Sequence, residues 1–138
     1  MPAIPCLRYQ DAAAAIEWLC RAFGFDRHLV VPGPSGGIAH AELTHGDAMI
    51  MLGSTGGPYD ALVYPPEKNG GVCTQTLYLV VSDPDAHYRR AVAAGAPVVT
   101  PIEDKPQGGR GYICRDPEGN LWNFGSYDPF KPAARPAK

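Results

Sequence analysis

The chain has no apolar run approaching the roughly 20 residues that a membrane-spanning helix requires, and no stripe of Lys and Arg. The first absence argues against a membrane role. The second, with a formal net charge of −2, argues against nucleic acid as a partner. The N-terminus shows no basic segment followed by an apolar stretch and a small-residue cleavage site, so a cytoplasmic location is expected. Cysteine is sparse: Cys6, Cys20, Cys73 and Cys114 lie far apart with no Cys-x-x-Cys pair. That spacing argues against a zinc ribbon or a disulfide framework and favours reduced thiols.

What is present is a repeat. At 138 residues and 45% apolar, the chain is long enough for one core and short for two independent domains. Residues 1–54 and 73–126 read as two copies of one unit, 72 positions apart. Asp11 opens a helical stretch and Asp83 does the same; Gly53-Ser54 is matched by Gly125-Ser126. Ile16, Leu19, Cys20 and Phe23 fall at helical spacing, and the same offset gives Tyr88, Ala91, Val92 and Gly95 as the second buried face.

Each copy has the order β-α-β-β-β. In the first, a strand over 4–9 precedes a helix capped by Asp11 and stopped by Gly24, then strands over 25–31, 38–44 and 48–53. In the second, strands over 76–82, 97–102, 111–115 and 120–127 surround a helix over 84–94, and Asp116-Pro117-Glu118-Gly119 makes a tight turn. The expectation is one domain over 1–130, with modules at about 1–54 and 73–129 and a Gly/Pro-rich connection over 55–72 that is either a flap over a cleft or a plain linker. A flexible tail is expected over 131–138.

With the repeat, His40-Ala41-Glu42-Leu43, Gly46-Asp47-Ala48-Met49-Ile50-Met51-Leu52 and the run from Arg115 to Gly125 resemble the vicinal oxygen chelate superfamily. That group contains glyoxalase I, extradiol dioxygenases, fosfomycin-resistance enzymes and bleomycin-resistance binding proteins. The resemblance spans residues 4–129 and is nearest the bleomycin-resistance branch. It implies an α+β fold in which two βαβββ modules form a curled sheet with a U-shaped cleft, commonly in a homodimer. It also implies metal-ligand positions on the first and last strands of each module, which fall here on Ile4, Met51, Thr76 and Asn123. A hydrocarbon, a thioether and two neutral oxygens make a poor divalent-metal site, so no metal and no cofactor is expected.

Strand alternation then assigns the cleft lining. Ile4, Cys6, Arg8, Met49 and Met51 share a face, as do Thr76, Tyr78, Leu121 and Asn123. The 72-residue offset from His40 and Glu42 adds Tyr112 and Cys114 to that lining and turns Ala41, Leu43, Ile113, Trp122 and Phe124 toward the helices. The candidate ligand-binding set is therefore Cys6, Arg8, His40, Glu42, Met49, Met51, Thr76, Tyr78, Tyr112, Cys114 and Asn123, with no catalytic residue assigned. Met and Tyr surfaces suit an aromatic or drug-like small molecule. Arg8 is either an anion holder or a carboxylate's partner. His28, His45 and His87 read as surface or turn histidines. Sequestration of a small molecule by a homodimer is the leading function. A glyoxalase- or dioxygenase-type metalloenzyme with unusual ligands, and a metal-free enzyme with Glu42 as general base, are the rivals.

Overall fold

The computed structural model describes residues 1–131. Module 1 runs β1 (Cys6–Tyr9), α1 (Ala12–Phe23), β2 (Asp26–Pro32), β3 (Ile38–His45) and β4 (Ala48–Ser54). Module 2 runs β5 (Leu77–Val80), α2 (Pro84–Ala93), β6 (Val98–Asp104), β7 (Arg110–Arg115) and β8 (Leu121–Gly125). The sheets have equivalent orders, β1-β4-β3-β2 and β5-β8-β7-β6, with the first strand of each parallel to the last and the other pairs antiparallel. The fold is α+β, two βαβββ modules with open sheets. The expected tail falls on residues 132–138, outside the described residues.

Local chemistry explains both helices. The Asp11 carboxylate accepts from the Ala14 N–H at 3.1 Å, and Asp83 accepts from Ala86 at the same distance. Each satisfies one of the amides left free in a first turn. Gly24 ends α1 at φ 81°, a left-handed conformation, and its N–H returns to Cys20 and Leu19 carbonyls. Along α1 the buried stripe is Ala12, Ala15, Ile16, Leu19, Ala22 and Phe23, spaced as a helix seating one face on a sheet. Full burial of Leu19 or Phe23 contributes about 1.5–3 kcal/mol each. In α2 the expected Val92 is 45% exposed, whereas Pro84 and Ala91 are buried and His87 and Tyr88 half-buried. Positions 84, 87, 88 and 91 make the inward stripe; Val92 lies just past its edge, about 40° beyond Tyr88 and about 100° from Ala91.

The 72-residue offset holds for the outer elements and slips inside. Leu52 pairs with Ala41 while its counterpart Phe124 pairs with Tyr112, so β3 and β7 correspond at 71. Two features cause the slip. A bulge in β3 leaves Ala39 unmatched between the pairs Val31–His40 and Pro32–Ile38. Between equivalent pairs, Cys114–Trp122 encloses one residue more than Leu43–Ile50. Before the bulge the original offset returns: the Ser54 hydroxyl accepts from Ile38 N–H at 2.8 Å, and Ser126 accepts from Arg110 N–H at 3.0 Å. A one-residue slip moves every side chain of a strand to the other face. Tyr112 and Cys114 therefore correspond to Ala41 and Leu43, and both are 0% exposed in the core rather than facing a cleft. Ile113 takes the open side opposite Asn123.

The modules meet through their helix-side faces. Phe23, at the end of α1, packs 5.3 Å from Trp122 and 4.7 Å from Phe124 between ring centroids, and Phe25 packs 5.7 Å from Trp122. The Tyr9 hydroxyl donates to Asp116 at 2.7 Å. The opposite faces of both sheets are left open. The connection carries two short 3-10 turns, Pro58–Ala61 and Pro66–Asn69. Its later part is held by Arg115, which donates to the Gly71 carbonyl at 2.9 Å and the Gly119 carbonyl at 2.7 Å.

Candidate ligand-binding site

The open face of module 1 gathers most of its expected residues. Cys6 lies opposite Met51, and Met51 opposite Glu42, so three strands place them in one row. The His40 Nε2 sits 2.9 Å from one Glu42 oxygen. His28 Nε2 lies 3.9 Å from the other oxygen. His28 occupies a register shift between Arg27 and Leu29, the kind of irregularity that re-aims a side chain. The surface-histidine expectation holds for its exposure but missed this partner.

Arg8 lies across β4. Its Nη2 donates to the Ser54 carbonyl, and its guanidinium carbon sits 5.4 Å from the centroid of the Tyr59 ring. Any Cβ at Gly53 would come within 2.9 Å of Nη1 and 3.0 Å of the Ala39 carbonyl, so only glycine admits this crossing.

On module 2, Tyr78 lies opposite Asn123, beside Ile113 and Leu121 on the open side. The Tyr78 hydroxyl donates to the Tyr127 carbonyl at 2.6 Å. Tyr78, Asn123, Lys105, Gln107 and Tyr127 border a hollow of about 290 Å³. Thr76 is exposed just before β5, and Ile4 is half-buried just before β1. A second hollow, about 270 Å³, forms where β1, the start of β5 and the connection converge. Cys6, Arg8, Leu77 and Leu121 supply one wall; Leu62, Tyr64 and Val72 of the connection supply another.

Cys114 carries no reactive thiolate, because burial pushes its pKa up to about 12. Burial also raises the phenol of Tyr112 well above its ordinary range. His87 is the further correction. It packs at the module junction, Nε2 2.8 Å from the Phe23 carbonyl and Nδ1 2.6 Å from the Tyr112 hydroxyl. A carbonyl can only accept, so Nε2 carries the proton and Nδ1 accepts from Tyr112. Burial lowers the His87 pKa to about 4, which keeps this ring neutral. His45 is also no bare surface group, since its ring meets Phe25 edge-on at 5.6 Å.

Two carboxylates read in the sequence only as turn residues are structural centres. Asp116, 2% exposed, accepts five hydrogen bonds: from Tyr9, the Trp122 indole, the Asn120 amide and the N–H groups of Glu118 and Asn120. Glu118 accepts from the N–H groups of Gln10 at 2.6 Å and Asp11 at 2.9 Å, tying the module 2 turn to the start of α1. Burial first, and neighbouring carboxylates after it, raise its pKa. The signal for both was acidic residues on the turn between two core strands, where one is forced inward.

Two βαβββ modules of identical strand order, with open sheet faces and hollows at their margins, define a class of small paired-module proteins built to hold ligands against those sheets. The chain belongs to the Glyoxalase/Bleomycin resistance protein/Dioxygenase superfamily, whose family model matches residues 4–124. An uncharacterized protein of Mycobacterium bovis is 38% identical over 126 residues, covering 88% of this chain and 80% of the relative. TioX from Micromonospora sp. ML1 shares 39% identity at a TM-score of 0.72, covering 91% of this chain and 94% of TioX. FosX, the fosfomycin resistance protein of Listeria monocytogenes solved with manganese(II), shares the fold alone: 14% identity, TM-score 0.64, 91% and 89% coverage. Membership supports a ligand-binding or metalloenzyme-type function, and among the described residues no helix is long and apolar enough to cross a membrane. The residues at the family's metal positions do not fit a metal, since Ile4, Met51, Thr76 and Asn123 offer no imidazole or carboxylate. Among the described residues, no three His, Cys, Asp or Glu side chains are gathered to share an ion.

Proposed function

We propose that this protein is a metal-independent binding protein for a small aromatic or drug-like molecule, acting by sequestration as a cytoplasmic homodimer. The observation carrying this reading is the pair Met51 and Asn123. Each stands on the last strand of its module, facing the open side, and together they offer a thioether and an amide where coordination needs anionic or imidazole donors. Cys6, Arg8, Met49, Met51, Thr76, Tyr78 and Asn123 are the contact residues in this reading, with His40 and Glu42 bordering them. The flexible thioethers of Met49 and Met51 suit an irregular apolar ligand. Two open sheet faces per chain favour an isologous pair. The modules and the connection act as one domain in this reading, since the Glu118 carboxylate of module 2 accepts from two amides of module 1 and Arg115 holds the connection at Gly71.

Elemental analysis of purified protein tests this directly. A metal content far below one per chain is expected, with a small molecule retained in native mass spectrometry. About one tightly held transition metal per chain, with an activity lost on chelation, overturns it in favour of the metalloenzyme. Light scattering at micromolar concentration should report a dimer.

A second reading rests on one observation: Glu42 sits between His28 and His40, a carboxylate flanked by two proton carriers on an open face. That arrangement suits proton abstraction by Glu42 in a metal-free isomerase or lyase. Turnover of a carbon acid, lost in Glu42→Gln, would move the assignment to it.

A further inference from the structure

We propose that the hollow between β1, the start of β5 and the connection takes a one- or two-ring molecule bearing a carboxylate, and that Arg8 is the group that receives the carboxylate. This rests on the small-molecule-binding reading and adds the ligand's charge and size. Three observations carry it.

The first is composition. At about 270 Å³ the hollow is just smaller than the usual range of ligand sites, about 300–1,000 Å³, and like them combines apolar walls with a few placed polar groups. Leu62, Val63, Leu77 and Leu121 supply apolar wall, while Thr74 and Gln75 add neutral polar groups. Arg8 is the only charged residue among the described residues lining it.

The second is that Arg8 has no counter-charge among the described residues. The ion pairs of the described residues join Arg27 to Glu17, His28 and His40 to Glu42, Arg110 to Asp85 and Asp104, Lys105 to Glu103 and Lys131 to Asp128, and none includes Arg8. Glu118 is committed to the amides of Gln10 and Asp11, two and three residues along from Arg8. Nη2 donates to the Ser54 carbonyl, and Nε is buried with no acceptor among the described residues. A buried guanidinium donor left unpaired is costly. An incoming carboxylate would supply this guanidinium with a counter-charge that the described residues do not, and Arg forms strong charge-assisted hydrogen bonds with that group.

The third is the repeat, which serves as an internal control. Arg8 pairs with Gly53 in the position where Val80 pairs with Gly125. The module framework therefore forms with valine at this place, and the cation is additional to what the fold requires.

Isothermal titration of the full chain at neutral pH with 2-naphthoate and its neutral counterpart 2-naphthamide tests the proposal. The acid is expected to bind about tenfold or more tightly than the amide. Arg8→Gln should remove that preference, bringing the acid and amide affinities together, and Arg8→Lys should retain part of it. Equal affinities in the unaltered protein, or an acid preference that survives Arg8→Gln, overturn the assignment. Amide binding without acid preference overturns the carboxylate assignment alone and leaves the small-molecule reading standing. Binding of neither probe overturns both. If Arg8→Gln lowers the yield of folded protein, the acid-to-amide ratio in the unaltered protein still tests the carboxylate, and Arg8→Lys still tests the residue.

Discussion

The two modules share a strand order and an aspartate N-cap, yet their helices are held by different forces. Helix α1 buries a continuous apolar stripe ending in Phe23, whose ring touches Trp18, Trp122 and Phe124. Helix α2 buries little hydrocarbon and is fastened by polar contacts. His87 bridges the Phe23 carbonyl and Tyr112, and Arg90 donates to the Arg21 carbonyl at 2.9 Å and the Cys20 carbonyl at 3.1 Å. One backbone unit is thus stabilised by burial in one copy and by directional bonds in the other. The lesson is that a repeat conserves geometry more strictly than energetics.

The largest test of this contrast is Phe23→Ala. It should cost about 3–5 kcal/mol in urea unfolding, the range for deleting a buried aromatic ring. A loss below about 1 kcal/mol would mean that the rings at the module junction contribute far less than their burial implies.

Asp116→Ala comes next, at about 3 kcal/mol, because it strands the buried Tyr9 hydroxyl and Trp122 N–H and each unpaired donor costs about 1–3 kcal/mol. Denaturant melts decide it. A variant as stable as its parent would show the Asp116 bonds to be dispensable to the fold.

The third test is pH. The pKa of His87 falls from an ordinary 6.5 to about 4 in the folded protein, so on acidification the unfolded chain takes up this proton first. Its contribution is complete above pH 6.5 and is lost as pH falls from there toward about 4. Glu118, whose pKa is raised, acts with the opposite sign, and His45 and Arg90 also oppose the His87 charge. Subtracting the stability of His87→Gln from that of the parent at each pH isolates the histidine. A difference that stays flat across this window would remove His87 as an acid-sensitive fastening.

The smallest effect concerns what the modules share. Asp11→Ala and Asp83→Ala should each cost about 1 kcal/mol, since each deletes one capping bond of 3.1 Å. Thermal melts of the pair sharpen the comparison: similar losses confirm that the caps are energetically equivalent even though the helix faces are not.

The sequence by itself determined the element order, both helix caps and the inward faces of β1, β4, β5 and β8, because these follow from local alternation, capping chemistry and a repeat spacing unbroken across those elements. The superfamily was legible for the same reason. Only the tertiary structure decided the rest. A bulge at Ala39 and one extra residue enclosed between Cys114 and Trp122 shift β7 by a single position, and that shift sends Tyr112 and Cys114 into the core. Asp116 and Tyr9 are 107 positions apart, and His87 and Phe23 are 64 apart. Their bonds exist only because two modules pack helix side to helix side. A hydrogen bond or a strand's facing depends on distances of a few ångströms set by the whole packing, whereas caps and alternation depend on neighbours along the chain.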